Sequence, residues 1–211
     1  MAINKPIPEM KHLDHVLVSE GVIKRRVKVL AEKINRTYRG GDLTVIAIVN
    51  GALIFTADLL RQLRTPLRLD CIRATSYHAN TAAGAKPVIV DNLKLDITGQ
   101  QVLLVDDILD TGNTLAAVKQ LLLAKGAASV RTCVLLDKAA RRVVPYKAEY
   151  IGFEIPDHFV VGYGLDFNER YRNLPCIGVL KPKYYTGKQE ENALHSPALG
   201  FSLPVRARRG G

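Results

Sequence analysis

The chain has 211 residues, 47% of them apolar and 24% charged. These are the proportions of an ordinary globular domain, long enough to bury a full core and without the compositional marks of disorder, collagen or a repeat array. Thirty Lys and Arg against twenty Asp and Glu leave a formal charge of +10, half of it carried by the first forty residues; that suits an anionic partner, and a solvated basic helix face at least as well. Aromatic residues make up only 6% and Trp is absent, so no aromatic-rich basic module of the RNA-recognition type is present and nucleic acid is not the expected partner. The longest apolar run, residues 43–49, is too short to cross a bilayer, and residues 1–14 carry charges and two prolines where a secretory signal would be apolar. Cys71, Cys133 and Cys176 lie far apart with no CxxC or Cys/His pairing, and are expected to be reduced core thiols of a cytoplasmic protein.

In chain order, residues 19–39 carry Ile23, Val27, Leu30, Ala31 and Ile34 at helical spacing and end at Gly40-Gly41. Residues 43–49 form a β-branched, nearly continuous apolar run, the pattern of a strand buried on both faces. Phe55, Leu59, Leu60 and Leu63 mark an amphipathic helix ending near Thr65-Pro66. Residues 67–77 are predicted as a strand, 101–105 as a third buried strand, 112–125 as a helix stopped by Gly126, and 130–136 as a fourth strand. Residues 150–153, 159–161 and 176–180 are shorter candidates. Residues 78–87 have the small, polar composition of a mobile loop. Residues 187–211 lack periodicity and contain Arg206, Arg208 and Arg209; they are expected to be a flexible basic tail. Strands and helices alternating at this spacing predict an α/β fold, a mostly parallel sheet flanked by helices. In such sheets ligands bind beyond the carboxyl ends of the strands, here just after Val49 and Val105.

The most informative stretch is Val102-Leu-Leu-Val-Asp106-Asp107-Ile-Leu-Asp110-Thr111-Gly112-Asn113-Thr114. An apolar strand runs into two adjacent carboxylates, a third follows three residues later, and a Thr-Gly-Asn-Thr turn opens a helix whose N–H groups and positive end suit a phosphate. A helix cap accounts for Asp110 or Thr111. It does not account for Asp106 and Asp107, because unpaired carboxylates at the end of an apolar strand are costly. They need hydroxyl groups, a metal ion or a proton as partners, and vicinal sugar hydroxyls beside a phosphate meet that need. Neither a P-loop nor a dinucleotide fingerprint is present.

This segment resembles the phosphoribosyl-pyrophosphate motif of the type I phosphoribosyltransferases, and Asp110 is similar to the hypoxanthine-guanine branch of that family. Further matches recur in order: Val49-Asn-Gly-Ala52, Phe55-Thr-Ala-Asp-Leu59, Ser76-Tyr77, Lys138-Ala-Ala-Arg-Arg142, Gly152-Phe-Glu-Ile-Pro-Asp157 and Phe159-Val-Val-Gly-Tyr-Gly-Leu-Asp-Phe-Asn-Glu-Arg-Tyr-Arg172. Together they span roughly residues 10–186. The resemblance implies one phosphoribosyltransferase domain over residues 1–186, with small hood elements near 1–18 and 156–186, followed by the tail.

It also implies a Mg²⁺-dependent transfer of a 5-phosphoribosyl group from phosphoribosyl pyrophosphate to N9 of hypoxanthine or guanine, by a homodimer or homotetramer. Asp106 and Asp107 would hold the ribose hydroxyls directly or through Mg²⁺, with Asp166 a further metal ligand. Asp110 would act as general acid/base near purine N7. Thr111, Gly112, Asn113 and Thr114 would cradle the 5′-phosphate. Lys138 would donate to the base O6, Phe159 would stack on the purine and Val160 would contact its edge through backbone. Asn50, Gly51 and Arg172 would bind pyrophosphate, and Ser76 and Tyr77 would belong to a flap, running on to Asn92, that closes over the donor. Three positions depart from the family pattern: Asn50 where Lys is frequent, Asp106 where Glu is common, and His158 where Lys often precedes the stacking aromatic. The loss of charge at Asn50 implies altered pyrophosphate contacts. The alternative is a regulator on the same fold that binds nucleotide or nucleic acid, for which the basic N-terminal helix and Arg-rich tail speak. Asp110 and the Lys138–Phe159 pocket speak for the enzyme, and Asp110 with Phe159-Val-Val161 against a pyrimidine-specific relative.

Overall fold

A six-stranded sheet forms the frame, in the order β4-β3-β2-β5-β6-β7. The strands are β2 (Leu43–Val49), β3 (Leu67–Thr75), β4 (Val88–Val90), β5 (Gln101–Leu109), β6 (Ser129–Asp137) and β7 (Tyr150–Glu154). All neighbours run parallel except the edge strand β4, which pairs antiparallel with β3. The structure, a computed structural model, describes residues 7–75, 87–90 and 93–186. Ser76, Tyr77 and most of the expected flap, as well as the tail 187–211, lie outside the described residues.

The sheet has the two-sided core that its apolar strands require. Val45, Leu103, Val105, Cys133 and Leu135 face α1 (Glu20–Thr37) and α2 (Leu53–Leu60). Ile46, Ile48, Val102, Leu104 and Val134 face α3 (Asn113–Ala124). Adjacent residues thus feed opposite cores, which is why these strands read as unbroken apolar runs. In α1 the five apolar residues singled out by spacing are the five that are buried. Cys133 and Cys176 are buried free thiols as expected, whereas Cys71 on β3 is only half-buried.

Three boundaries differ from the periodicity. The second helix stops at Leu60 rather than near Thr65, because Asn35 of α1 takes the following backbone: its Oδ1 accepts from Arg64 N at 2.8 Å and its Nδ2 donates to Gln62 O at 3.1 Å. The strand expected to end at Val105 continues to Leu109, since β6 extends the ladder through Asp106↔Val134 and Leu109↔Asp137. Within the span read as a flap, Val88–Val90 is a strand paired with Arg73–Thr75.

A second sheet, β1 (Leu13–Val18), β9 (Ile177–Leu180) and β8 (Val160–Val161), is antiparallel in the order β1-β9-β8. β1 has no readable alternation because only its two end residues are buried. This sheet is seated over the carboxyl ends of β2 and β5. Tyr163 donates to Asp58 Oδ2 of α2 at 2.6 Å, and Gly164, at φ +103°, lies so close to the Gly51 carbonyl that a Cβ there would overlap it.

Candidate active site

Where β2 and β5 end, the chain leaves a cleft of about 530 Å³ between the main sheet and the smaller one. Its lining takes in Asn50 and Gly51 after β2, Asp106, Asp107 and Asp110 along and just after β5, Thr111, Gly112 and Thr114 leading into α3, and Asp166 and Arg172. Ten of the residues expected from the sequence therefore meet in one place. Asn113, Lys138, Phe159 and Val160 are not part of this lining.

Asp106 is buried, and its Oδ1 accepts the backbone N–H of Asp107 at 3.0 Å. Burial first, then the neighbouring Asp107 carboxylate, pushes the Asp106 carboxyl well above the usual range; burial pushes Asp107 up as well. Burial thus outweighs the hydrogen bonds and the Arg172 charge that Asp107 has, and hydroxyl groups or a hard cation would relieve that cost. Asp107 reaches the cleft because residue 51 is glycine: a Cβ there would overlap Asp107 Oδ2. The Val49–Asn50 peptide bond beside it is cis.

Gly112 sits at φ +89° at the N-cap of α3, and a Cβ would lie 2.8 Å from Val144 Cγ2, so both backbone and space call for glycine. It opens α3 at the cleft, where Thr111, Gly112 and Thr114 are part of the lining. Thr111 Oγ1 accepts from Asn113 N at 3.4 Å, a weak cap. Thr111 O in turn accepts from Val143 N at 2.9 Å, tying the turn to the segment after β6.

Arg172 is held in place by its neighbours: Nη1 donates to Gly164 O at 2.8 Å, and Nη2 lies 2.9 Å from Asp166 Oδ1 and 2.8 Å from Glu169 Oε2. Asp166 Oδ2 accepts from Glu169 N at 3.0 Å. Among the described residues no three His, Cys, Asp or Glu side chains are grouped as a preformed metal cage. The donor set fits instead a Mg²⁺ bound through one or two carboxylates, with water and substrate oxygens completing its shell. Opposite Asn50, which lacks the charge of the frequent lysine, Arg73 of β3 supplies a positive side chain to the wall.

The residues expected to meet the base lie outside this lining. Lys138 is not a surface lysine: it is 8% exposed, its N–H bonds to Leu109 O at 2.9 Å, and its Nζ lies 3.6 Å from Asp157 Oδ1. Phe159 is not a core aromatic: its ring is 37% exposed, with Tyr185 stacked at 4.5 Å and Phe167 edge-on at 5.4 Å. Val160 is buried in β8 beside it. Arg142 pairs with buried Asp137 and donates to the carbonyl of Asp110, fixing the backbone there. Arg141, Arg142, Asp157 and Tyr185 carry no role in the sequence argument, although the first three fall within its matched stretches. The only signal for Arg141 and Arg142 is a pair of charges close to Lys138, which by itself reads as a solvated surface, and Asp157 and Tyr185 have none.

The fold and this cleft define a phosphoribosyl-transferring site, and the comparisons agree: the chain belongs to the phosphoribosyl transferase domain family, whose model matches residues 18–168. It is 41% identical over 177 residues to the hypoxanthine-guanine phosphoribosyltransferase of Bacillus subtilis (strain 168), covering 83% of this chain and 98% of that enzyme. It is likewise 41% identical over 171 residues to the hypoxanthine phosphoribosyltransferase of Escherichia coli (strain K12), covering 80% of this chain and 96% of that one. Among solved structures, a hypoxanthine phosphoribosyltransferase from Staphylococcus aureus superposes with a TM-score of 0.82 at 38% identity, over 86% of this chain and 98% of that one. No helix among the described residues is long and apolar enough to cross a membrane.

Proposed function

We propose that this protein is a purine-salvage transferase of the cytoplasm that moves the 5-phosphoribosyl group of phosphoribosyl pyrophosphate to N9 of hypoxanthine and/or guanine, giving IMP or GMP and pyrophosphate. The observation that carries this reading is the convergence of Asp106, Asp107, Asp110 and the Thr111–Thr114 turn with Asn50-Gly51, Asp166 and Arg172 in one cleft. The ribose hydroxyls donate to Asp106 and Asp107, and the 5′-phosphate takes the N–H groups at the start of α3. Pyrophosphate is received by the Asn50-Gly51 backbone and by Arg172. Lys138 donates to O6, Phe159 stacks on the ring, and the backbone of Val160 meets its edge. Asp110 Oδ1 is shielded from solvent, and Arg141 Nε, 2.9 Å away, is not aligned as a hydrogen bond to it, so a purine N7 proton can take that acceptor site.

Asp106, Asp107 and Asp166 would hold Mg²⁺, which when bound offsets the negative charge of the departing pyrophosphate. The flap containing Ser76 and Tyr77 excludes water from an oxocarbenium-like centre. The catalytic unit is residues 1–186, with hood elements near 1–18 and 156–186, working as a homodimer or homotetramer. The test is a spectrophotometric assay with Mg²⁺, phosphoribosyl pyrophosphate and hypoxanthine, guanine, xanthine, adenine or uracil offered singly. Turnover of hypoxanthine or guanine that vanishes with EDTA is expected; no turnover of any base would overturn the proposal.

A further inference from the structure

The two groups proposed to read the base edge, Asp110 and Lys138, are bridged by two others. Arg141 Nε lies 2.9 Å from Asp110 Oδ1, although not aligned as a hydrogen bond, and Arg141 Nη1 lies 3.6 Å from Asp157 Oδ2. The other Asp157 oxygen faces Lys138 Nζ at 3.6 Å. A 6-oxopurine protonated at N7 presents, side by side on one edge, a donor and then an acceptor: N7–H toward Asp110 and O6 toward Lys138. Arg141 and Asp157 present the same order of charge, a guanidinium beside Asp110 and a carboxylate oxygen beside Lys138.

We propose that the Arg141–Asp157 ion pair is a placeholder for the O6/N7 edge of the base, occupying its recognition groups until a 6-oxopurine displaces it. The inference rests on the base-site reading above. The pair is suited to leave. The Arg141 and Asp157 side chains are 46% and 49% exposed, so both charges return to water at little cost, whereas the Lys138 side chain, at 10%, has little access to solvent. By standing between them, the pair puts a cation beside the Asp110 carboxylate and a carboxylate beside the buried Lys138 ammonium; among the described residues no ion pair links Lys138 to Asp110. It also sets a selectivity rule: a purine with an amino group at position 6 puts a donor against Lys138 and cannot replace Asp157 there, so it displaces only half of the bridge.

The test is steady-state kinetics of Arg141→Gln and Asp157→Asn, with Arg141→Lys as the conservative variant. Removing a competing half-exposed ion pair should lower the KM for hypoxanthine about two- to fivefold in Gln and Asn variants. The KM for phosphoribosyl pyrophosphate should stay within about twofold, and Arg141→Lys should keep the wild-type base KM. An unchanged or raised base KM in both variants, or base and donor KM moving together, would overturn the placeholder. Asp110→Asn and Lys138→Ala measured alongside separate the two levels. If these leave base KM and turnover at wild-type values, the base-site reading itself falls. If they collapse while the Arg141 and Asp157 variants are inert, only the placeholder falls.

Discussion

Gly51→Ala is the sharpest steric probe of the cleft. The added methyl would overlap Asp107 Oδ2 and lie 2.7 Å from Asp107 Cγ, whereas ordinary contact begins at 3.4 Å. The neighbour is the carboxylate of a half-buried residue fixed on β5, not the free end of a long side chain, so one of two things must give. Asp107 Oδ2 retreats by roughly 1.5 Å, or the Asn50-Gly51 backbone moves away from its contact with Gly164, in either case reaching the roughly 10²-fold loss that a misplacement of about 1 Å costs in an active site. The expected result is a drop of about 100-fold or more in kcat/KM for phosphoribosyl pyrophosphate, together with about 1–3 kcal/mol lost in urea unfolding from overpacking. Gly21→Ala serves as the control, because its Cβ would meet only Arg25 Nη1 at 3.6 Å on α1. Wild-type kcat/KM and wild-type stability in Gly51→Ala would refute the placement of Asp107 against Gly51.

Three further outcomes are expected. Lys138→Ala should raise the KM for the base by about tenfold or more, the scale of a lost charge-assisted hydrogen bond, with a smaller change for the donor; equal losses would separate Lys138 from O6. Tyr163→Phe deletes the hydrogen bond to Asp58 that joins the smaller sheet to α2 and should cost about 2 kcal/mol in chemical denaturation; an unchanged midpoint would show that this contact does not seat the smaller sheet. Cys133 is fully buried and its thiol is pushed up by burial, so it should resist a thiol reagent in the folded protein and react only on unfolding; a fast native reaction traced to Cys133 by peptide mapping would contradict the core placement.

The strands and α1 were legible because both signals are local: Leu43–Val49 is apolar throughout and α1 repeats at helical spacing. The Thr111–Thr114 turn was legible because glycine, threonine and three acids occur in a fixed order after an apolar strand. What the sequence hid depends on partners distant along the chain. The early end of α2 is set by Asn35, the continuation of β5 through its acids by β6, and β1 by pairing with β9 rather than by its own pattern. The site shows the same division. Asp106, Asp107 and Asp110 stood out by their spacing, whereas Arg141 and Asp157 acquire meaning only when folding sets both beside Lys138 and Asp110. Taken alone, Phe159 and Lys138 read as core and surface; their burial in the folded chain is the reverse of that pair.

The central claim is that Asp110 handles the purine proton while the neighbouring acids and turn hold the donor. Its most direct test is Asp110→Asn, measured for turnover of hypoxanthine and for calorimetric binding of phosphoribosyl pyrophosphate with Mg²⁺. The account predicts a fall in kcat of about 10²-fold or more, the usual size of a general acid–base contribution, with donor affinity kept. Near-wild-type turnover, or a loss of donor binding as large as the loss of kcat, would contradict it.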